Sequence, residues 1–332
     1  MGDYAHAEML QNLRFADDIL LVARSLPQVR GMLGDLSREA ALVGLNLHFG
    51  KTKILANTGV RRGINRENNT VDIAGQEVEV VPLDGSTAYL GREVTLGGDF
   101  HDRELENRIA KAWGKFMSLK KELCGRHYSL DDRMRLFNAV VTPTILYGSA
   151  SWTMTQSREE RLRTTQKKML RKIWGAQRRM KEEGTATPGP EEEAAPTSDQ
   201  SSSISSNSGG SSRGKGEDAG NVKESWVEWL QRTARNVEWA IEKGKVADWV
   251  AEQRRRKWRW AGHVMRRTDS RWTRRIVHWL PLGGQRRPGR PTTRWEDALE
   301  TFAKRSGFRW EDEALDRIDW NKWEASFVET GR

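Results

Sequence analysis

Residues 181 to 221 limit the possible folds of this 332-residue chain most strongly, because they cannot contribute to a hydrophobic core. Ser, Gly, Pro and Glu dominate this stretch, and almost no apolar residues interrupt them. Such a composition buries too little apolar surface to offset the entropy lost on ordering. Three basic residues stand against eight acidic ones between residues 181 and 220, which disfavours contact with a polyanion. We therefore predict a flexible, disordered linker, with phosphorylation of its serines as the alternative role.

Two adjacent carboxylates, Asp17 and Asp18, lie between apolar runs that are typical of β-strands, at residues 13–16 and 19–22. Adjacent buried carboxylates repel each other and lose hydration, so their burial would call for a compensating cation. In a hairpin whose apolar residues, Phe15 among them, pack against a sheet, the turn places both carboxylates at the sheet edge. Hard oxygen ligands suit Mg²⁺ there. The alternative interpretation is an Asp-Asp hairpin turn without a metal.

The motifs after the aspartates follow a definite order. Apolar residues recur near the helical period over residues 28–43, which predicts one amphipathic helix. A short strand with a basic turn is predicted over residues 44–55, and Tyr89-Leu90-Gly91 follows further along. This order resembles the palm of reverse transcriptases from non-LTR retrotransposons, of the LINE type and RTE-like. In that family, Phe-Ala-Asp-Asp is the metal-binding hairpin, Gly-Leu followed by Lys-Thr-Lys is the next motif, and Tyr-Leu-Gly is the primer grip.

The resemblance implies an RNA-directed DNA polymerase that uses Mg²⁺ (or Mn²⁺). In such an enzyme the 3′-hydroxyl of a primer attacks the α-phosphorus of a deoxynucleoside triphosphate at a two-metal centre. Asp17 would bind the metals directly and Asp18 would be a weaker or outer ligand. Lys51, in preference to Lys53, would neutralise or protonate the leaving phosphate. The implied contacts to the primer end are Tyr89, Leu90 and Gly91. The implied partners are an RNA template and a DNA primer or target, as in target-primed reverse transcription.

The resemblance continues through three predicted helices within residues 108–119, 129–152 and 161–174, which match the thumb of that family in order. Residues 101 to 180 contain 18 basic and 8 acidic residues, which suits a grip on the template-primer backbone. The C-terminal stretches 259–266 and 286–295 are similar to the tail of RTE-like elements.

The chain therefore divides into four predicted segments with an α+β fold. These are the C-terminal part of a palm (1–100), a helical thumb (101–180), the disordered linker (181–221) and a mostly helical, basic, nucleic-acid-binding module (222–332). The palm is expected to be incomplete, because the chain begins shortly before Phe15. The family's fingers, its upstream palm strand with another metal-binding aspartate, and its endonuclease domain would then be missing.

Two functions follow from this expectation. The first is a fragment of a reverse transcriptase with negligible activity alone, because it lacks a metal ligand and a triphosphate pocket; a separately encoded N-terminal part would complete it. The alternative is a non-catalytic nucleic-acid-binding remnant that uses the thumb and the basic tail. A third interpretation is a pseudogene product that is never expressed.

Basic residues are concentrated near the C-terminus. Residues 254 to 294 contain 14 Arg or Lys residues and one acidic residue, Asp269, which suits the neutralisation of phosphates. The alternative is a solvated basic surface, although such surfaces usually mix the two signs of charge. The candidate nucleic-acid contacts are Arg254, Arg255, Arg256, Lys257, Arg259, Arg266, Arg267, Arg274, Arg275, Arg286, Arg287 and Arg290.

Tryptophan is also concentrated there, with 12 of the 15 residues between positions 226 and 323. A spacing near one helical face predicts core packing for Trp226, Trp229, Trp239 and Trp249. A second set alternates with arginine, which favours stacking on bases. About half of this set is expected to lie in the core. Its members are Trp258, Trp260, Trp272 and Trp279.

Two shorter patterns have competing interpretations. Gly289-Arg290-Pro291 could enter a narrow minor groove as an AT-hook does, but Pro288 interrupts the usual pattern. A rigid loop before a helix from Thr293, anchored by Trp295, is the alternative. His263 has no Cys or acidic partner at ligand spacing, so a structural role is favoured over a metal site.

The chain has a single cysteine, Cys124, which excludes an internal disulfide or a cysteine-based zinc knuckle. We therefore expect no zinc site and a reducing compartment, the nucleus or the cytoplasm. No run of 18 or more apolar residues occurs, so no membrane partner is expected.

Overall fold

The computed structural model describes residues 10–57, 64, 68–175, 178–179, 223–269, 272–278 and 293–330. Over these residues the fold is α+β, as predicted, with small sheets followed by helices. The whole of the predicted linker (181–221) lies outside the described residues, and so do Arg286, Arg287, Arg290 and Trp279. No described helix has the length and apolar character needed to cross a bilayer.

The N-terminal strands β1 (Asn12–Phe15) and β2 (Asp18–Leu21) form an antiparallel hairpin in which Phe15 faces Asp18. Helix α1 (Leu26–Leu42) confirms the predicted amphipathic helix. The Ser25 hydroxyl accepts a hydrogen bond from the Gln28 amide and so caps the first turn. The strand predicted over residues 44–55 is β3 (Lys53–Leu55), and a 3₁₀ turn (Phe49–Lys51) precedes it.

Four further strands complete the sheets. Strands β4 (Thr70–Ile73) and β5 (Gln76–Val81) form a hairpin, and β3 pairs with β5 in parallel, which gives the order β3-β5-β4. Strands β6 (Thr87–Tyr89) and β7 (Arg92–Val94) form a separate hairpin. One apolar core joins α1 to the three-stranded β3-β5-β4 sheet. Its buried residues are Leu26, Leu33, Val71, Ile73, Val78 and Val80.

Helices dominate from residue 100 onward, and their order agrees with the three predicted thumb segments. The helices before the linker are α2 (Phe100–Ser118), α3 (Lys120–Cys124), α4 (Leu130–Leu136), α5 (Thr142–Ile145) and α6 (Gln156–Ile173). A π-helical stretch (Phe137–Val141) ends two residues before Pro143. Proline has no amide hydrogen to donate, so a change in the hydrogen-bonding pattern is expected at this point.

The C-terminal segment is mostly helical, as predicted. Its helices are α7 (Trp226–Glu242), α8 (Trp249–Met265), α9 (Trp272–Val277), α10 (Asp297–Ser306), α11 (Trp310–Glu313), α12 (Arg317–Lys322) and α13 (Glu324–Thr330). A capping box between Ser225 and Glu228 begins α7, and the Asp248 carboxylate caps α8. Helix α10 begins later than the predicted Thr293, but the Trp295 indole anchors this region by donating to the Ala150 carbonyl at 2.8 Å.

The largest hydrophobic core crosses the predicted domain boundary. Val237, Ala240 and Trp249 from α7 and α8 pack with the helices of residues 100–173. Trp249 stacks on Phe137 with ring centroids 5.6 Å apart, and its indole donates to the Thr142 hydroxyl at 2.9 Å. The helices on the two sides of residues 180–222 therefore share one core.

A second core holds the C-terminal helices together. Trp258 and Trp320 stack face to face with centroids 3.6 Å apart, and each indole donates to the other residue's carbonyl at 3.0 Å. Trp258 therefore belongs to the core and cannot stack on bases. Of the four tryptophans predicted to be core, Trp249 is buried, whereas Trp226 and Trp239 are exposed.

Candidate nucleic-acid interface

The Asp17-Asp18 pair lies at the exposed tip of the β1–β2 hairpin. Ala16 has a left-handed φ of 51° in this turn. Both carboxylates are exposed, and no hydrogen bond or ion pair joins either one to another described side chain. The expected packing of Phe15 is wrong, because this side chain is 65% exposed. Both carboxylates are therefore accessible to solvent, and hydration weakens the repulsion between them.

The carboxylates alone do not complete a two-metal centre. Among the residues that the structure describes, no three His, Cys, Asp or Glu side chains gather where they could hold a metal ion. Carboxylate oxygen is the correct ligand type for Mg²⁺, but a pair of ions that clamps a phosphoryl group needs more protein ligands.

Tyr89 of the predicted primer grip is influenced electrostatically by Asp18 of the predicted metal hairpin. Burial raises the pKa of the Tyr89 phenol above its usual value, and the negative charge of the Asp18 carboxylate adds to this effect. The described residues show no hydrogen bond between these two side chains.

The turn after Tyr89 is held by hydrogen bonds from side chains of the helical segment that follows it. Leu90 and Gly91 have left-handed φ values of 49° and 75°, which is unfavourable for leucine. The Tyr147 hydroxyl donates to the Leu90 carbonyl at 2.9 Å, and the Gly91 carbonyl accepts from Arg108 and from Lys111. These three contacts hold the turn in its strained conformation.

A buried carboxylate organises the base of this turn, and the sequence analysis did not identify it. The Glu104 side chain is 1% exposed and accepts from Arg92 at 3.2 Å and from Arg108 at 3.1 Å. It also accepts from the backbone amide of Glu93 at 2.8 Å. The i,i+4 spacing of Glu104 and Arg108 on a helix was the available sequence signal. A buried carboxylate without such partners destabilises a protein, so Glu104 depends on Arg92 and Arg108 remaining in these positions.

The two lysines of the basic turn have different surroundings. Lys53 forms an ion pair with Glu79 at 2.9 Å. Lys51 is exposed in the 3₁₀ turn and has no carboxylate partner among the described residues. No hydrogen bond or ion pair in that part of the chain joins Lys51 to Asp17 or Asp18, so the structure does not bring these three groups into contact.

Two of the candidate basic contacts lie inside the protein. Arg254 forms a two-pronged ion pair with the buried Glu159 carboxylate at 2.9 Å, and it also donates to the Val328 carbonyl at 3.0 Å. Lys257 is almost fully buried, and its ammonium lies 5.3 Å from the centre of the Trp295 ring. Their observed contacts tie helices together and leave no surface for phosphate.

The remaining described candidates lie at or near the surface. Helix α13 supplies Glu324, which accepts from Arg259 at 2.8 Å, so the acidic C-terminal region packs partly against α8. Arg266 donates to a carbonyl, whereas Arg267 pairs with Asp269 at 3.2 Å. Other surface cations are Arg255 and Arg256, which pair with Glu252, and Arg274 and Arg275 on α9.

An exposed ring pair lies among these cations. Trp260 is 37% exposed and its indole lies 5.4 Å from the imidazole of His263, centre to centre. The His263 side chain is itself exposed, so it does not take up its predicted structural role by packing in a core.

The chain is similar to one curated protein over nearly its whole length. This protein, from Caenorhabditis elegans, is described as an uncharacterized transposon-derived protein and is 28% identical over 325 residues, which cover 94% of each chain. No family model matches the chain. No solved structure matches it either.

Proposed function

We propose that this chain is a transposon-derived, nucleic-acid-binding portion of a non-LTR retrotransposon reverse transcriptase. The exposed Asp17-Asp18 pair at the tip of the β1–β2 hairpin carries the proposal, because adjacent carboxylates offer the ligand type that such an enzyme uses for its metal ions. The description of the worm relative as transposon-derived supports the same origin. In a complete enzyme, Asp17 and Asp18 would help to bind Mg²⁺ or Mn²⁺, and the turn of Tyr89, Leu90 and Gly91 would place the primer end.

Lys51 is the better candidate than Lys53 for a contact with the triphosphate. Lys53 is engaged by Glu79, whereas Lys51 is exposed without a carboxylate partner in the described part of the chain. A free ammonium group can meet a phosphate without first giving up an ion pair.

Nucleic-acid binding without catalysis is the function that this chain would perform alone. The exposed arginines of α8 and α9, together with basic residues of α6, favour a polyanionic partner. The proposed partners are an RNA template and a DNA primer or target, which would place the protein in the nucleus or the cytoplasm. The polymerase chemistry would need further metal ligands, for example from a separately encoded part.

Primer extension tests the catalytic side of this proposal. The purified chain, an RNA template, a DNA primer, deoxynucleoside triphosphates and Mg²⁺ or Mn²⁺ should give no template-dependent products, because two carboxylates cannot form the two-metal centre. Asp17→Ala is the matched control. Products that appear with the parent chain and vanish with Asp17→Ala would show that the chain is a polymerase by itself.

A further inference from the structure

We propose that Trp260 and His263 form a stacking platform for the unpaired bases of single-stranded nucleic acid. This inference rests on the proposed nucleic-acid-binding function and adds to it a strand type and a contact point. It also gives a binding role to His263, which sequence reasoning interpreted as structural.

Helix periodicity explains why these two rings face solvent. The opposite side of α8 is buried through Trp258, Ala261 and Met265. Trp260 and His263 are three residues apart, so they lie on one face of the helix, turned away from that core. Their rings are 5.4 Å apart and inclined by 31°, which makes one continuous aromatic surface.

The charges around the platform favour a polyanion over an acidic or neutral protein surface. Arg256 and Arg259 lie on the same side of α8 as the two rings, and Arg267 follows shortly after the helix ends at Met265. Their partners Glu252, Glu324 and Asp269 hold them through ion pairs that are at least partly exposed. Exposed ion pairs are weak, so a phosphate can replace a carboxylate at low cost.

The Trp260–His263 surface distinguishes single strands from duplexes. In a duplex each base face is covered by its neighbours, so an indole on a helix surface cannot stack on it. In a single strand the bases are free to stack on aromatic rings while arginines hold the backbone. Each stacked base typically raises the affinity by about tenfold or more.

The test compares single-stranded and duplex oligonucleotides of the same sequence by fluorescence anisotropy. Trp260→Ala should weaken binding of the single strand by about tenfold and leave binding of the duplex nearly unchanged. Trp260→Tyr should recover most of the loss, because a phenol ring also stacks. His263→Ala should give a smaller loss on the single strand only.

Trp239→Ala is the matched control. Trp239 is also a partly exposed tryptophan on a long helix, at 47%, but its neighbours Glu238 and Glu242 are acidic and exposed. This variant should bind both oligonucleotides as the parent chain does. Thermal unfolding followed by circular dichroism checks that each variant is folded.

The outcomes separate the platform from the proposed function. Equal losses on single strand and duplex, or no loss with Trp260→Ala, would overturn the platform while the chain still binds nucleic acid. Failure of the parent chain to bind either oligonucleotide would overturn the proposed function, and the platform with it.

Discussion

Lys257 is buried beneath the ring of Trp295, and burial lowers its pKa from 10.5 to about 8 although Asp297 and Glu159 oppose this effect. Between these two pKa values the unfolded chain holds a proton that the folded chain has released. The linkage relation then makes this residue's contribution to stability rise as the pH increases from about 8 to about 10.5. Below pH 8 the folded protein carries the full cost of a buried charge.

Replacing Lys257 tests directly how much its buried charge destabilises the folded protein. Lys257→Met keeps the apolar stem and removes the charge, so it should raise the free energy of unfolding at pH 7 by on the order of 2–3 kcal/mol. Urea unfolding at pH 7 and at pH 10 measures the effect. The gain should shrink at pH 10, and a gain that is equal at both pH values would contradict the lowered pKa.

The close packing of Trp320 against Gly262 leads to a second prediction. A Cβ atom at this position would lie 2.6 Å from the Trp320 indole, so Gly262→Ala should disturb the Trp258–Trp320 stack and cost about 1–3 kcal/mol. Gly114 is the control, since a Cβ there meets no atom within 4 Å. Gly114→Ala should stabilise the protein by up to about 1 kcal/mol, because alanine favours helix. Thermal unfolding of both variants measures these opposite effects.

For single residues, the sequence predicted the position of a turn better than the burial and the partners of individual side chains. It identified the Asp17-Asp18 turn but predicted packing that Phe15 does not have. It missed Glu104, because its partner Arg92 lies on a different element and only the folded chain brings them together.

At the scale of elements, α8 combines an internal and an external face within one basic run. Arg254 points toward Glu159 on α6, whereas Arg259 points toward solvent and is 65% exposed. The sequence could not separate these roles, because every residue of the run from 254 to 257 is basic. The rotation of the helix decides which residues face the core. By contrast, the clear apolar period of α1 made that helix predictable.

Two arginine variants test this division of α8. Arg254→Ala should lower the free energy of unfolding by about 2–3 kcal/mol, since it removes the ion pair that Arg254 makes with the buried Glu159 carboxylate at 2.9 Å. Arg259→Ala should change stability by less than about 1 kcal/mol, because its ion pair is exposed. Chemical unfolding distinguishes them, and equal losses would show that the two faces are not distinct.

At the scale of the whole molecule, the composition of residues 181–221 predicts a linker but says nothing of how the helices on its two sides pack. Helices α7 and α8 pack into the core formed by α2 to α6, through contacts such as that of Trp249 with Phe137. Apolar periodicity identifies a buried face but not its partner, so such packing across a long segment lies beyond sequence reasoning.

The proposed function requires the chain to bind nucleic acid through its exposed cations. An anisotropy titration of a single-stranded RNA by the purified chain, repeated at several salt concentrations between about 50 and 200 mM, tests it most directly. We expect binding at low salt and an affinity that falls steeply as salt rises, because each phosphate contact releases counterions. An absence of binding at low salt, or an affinity that does not change with salt, would contradict the account.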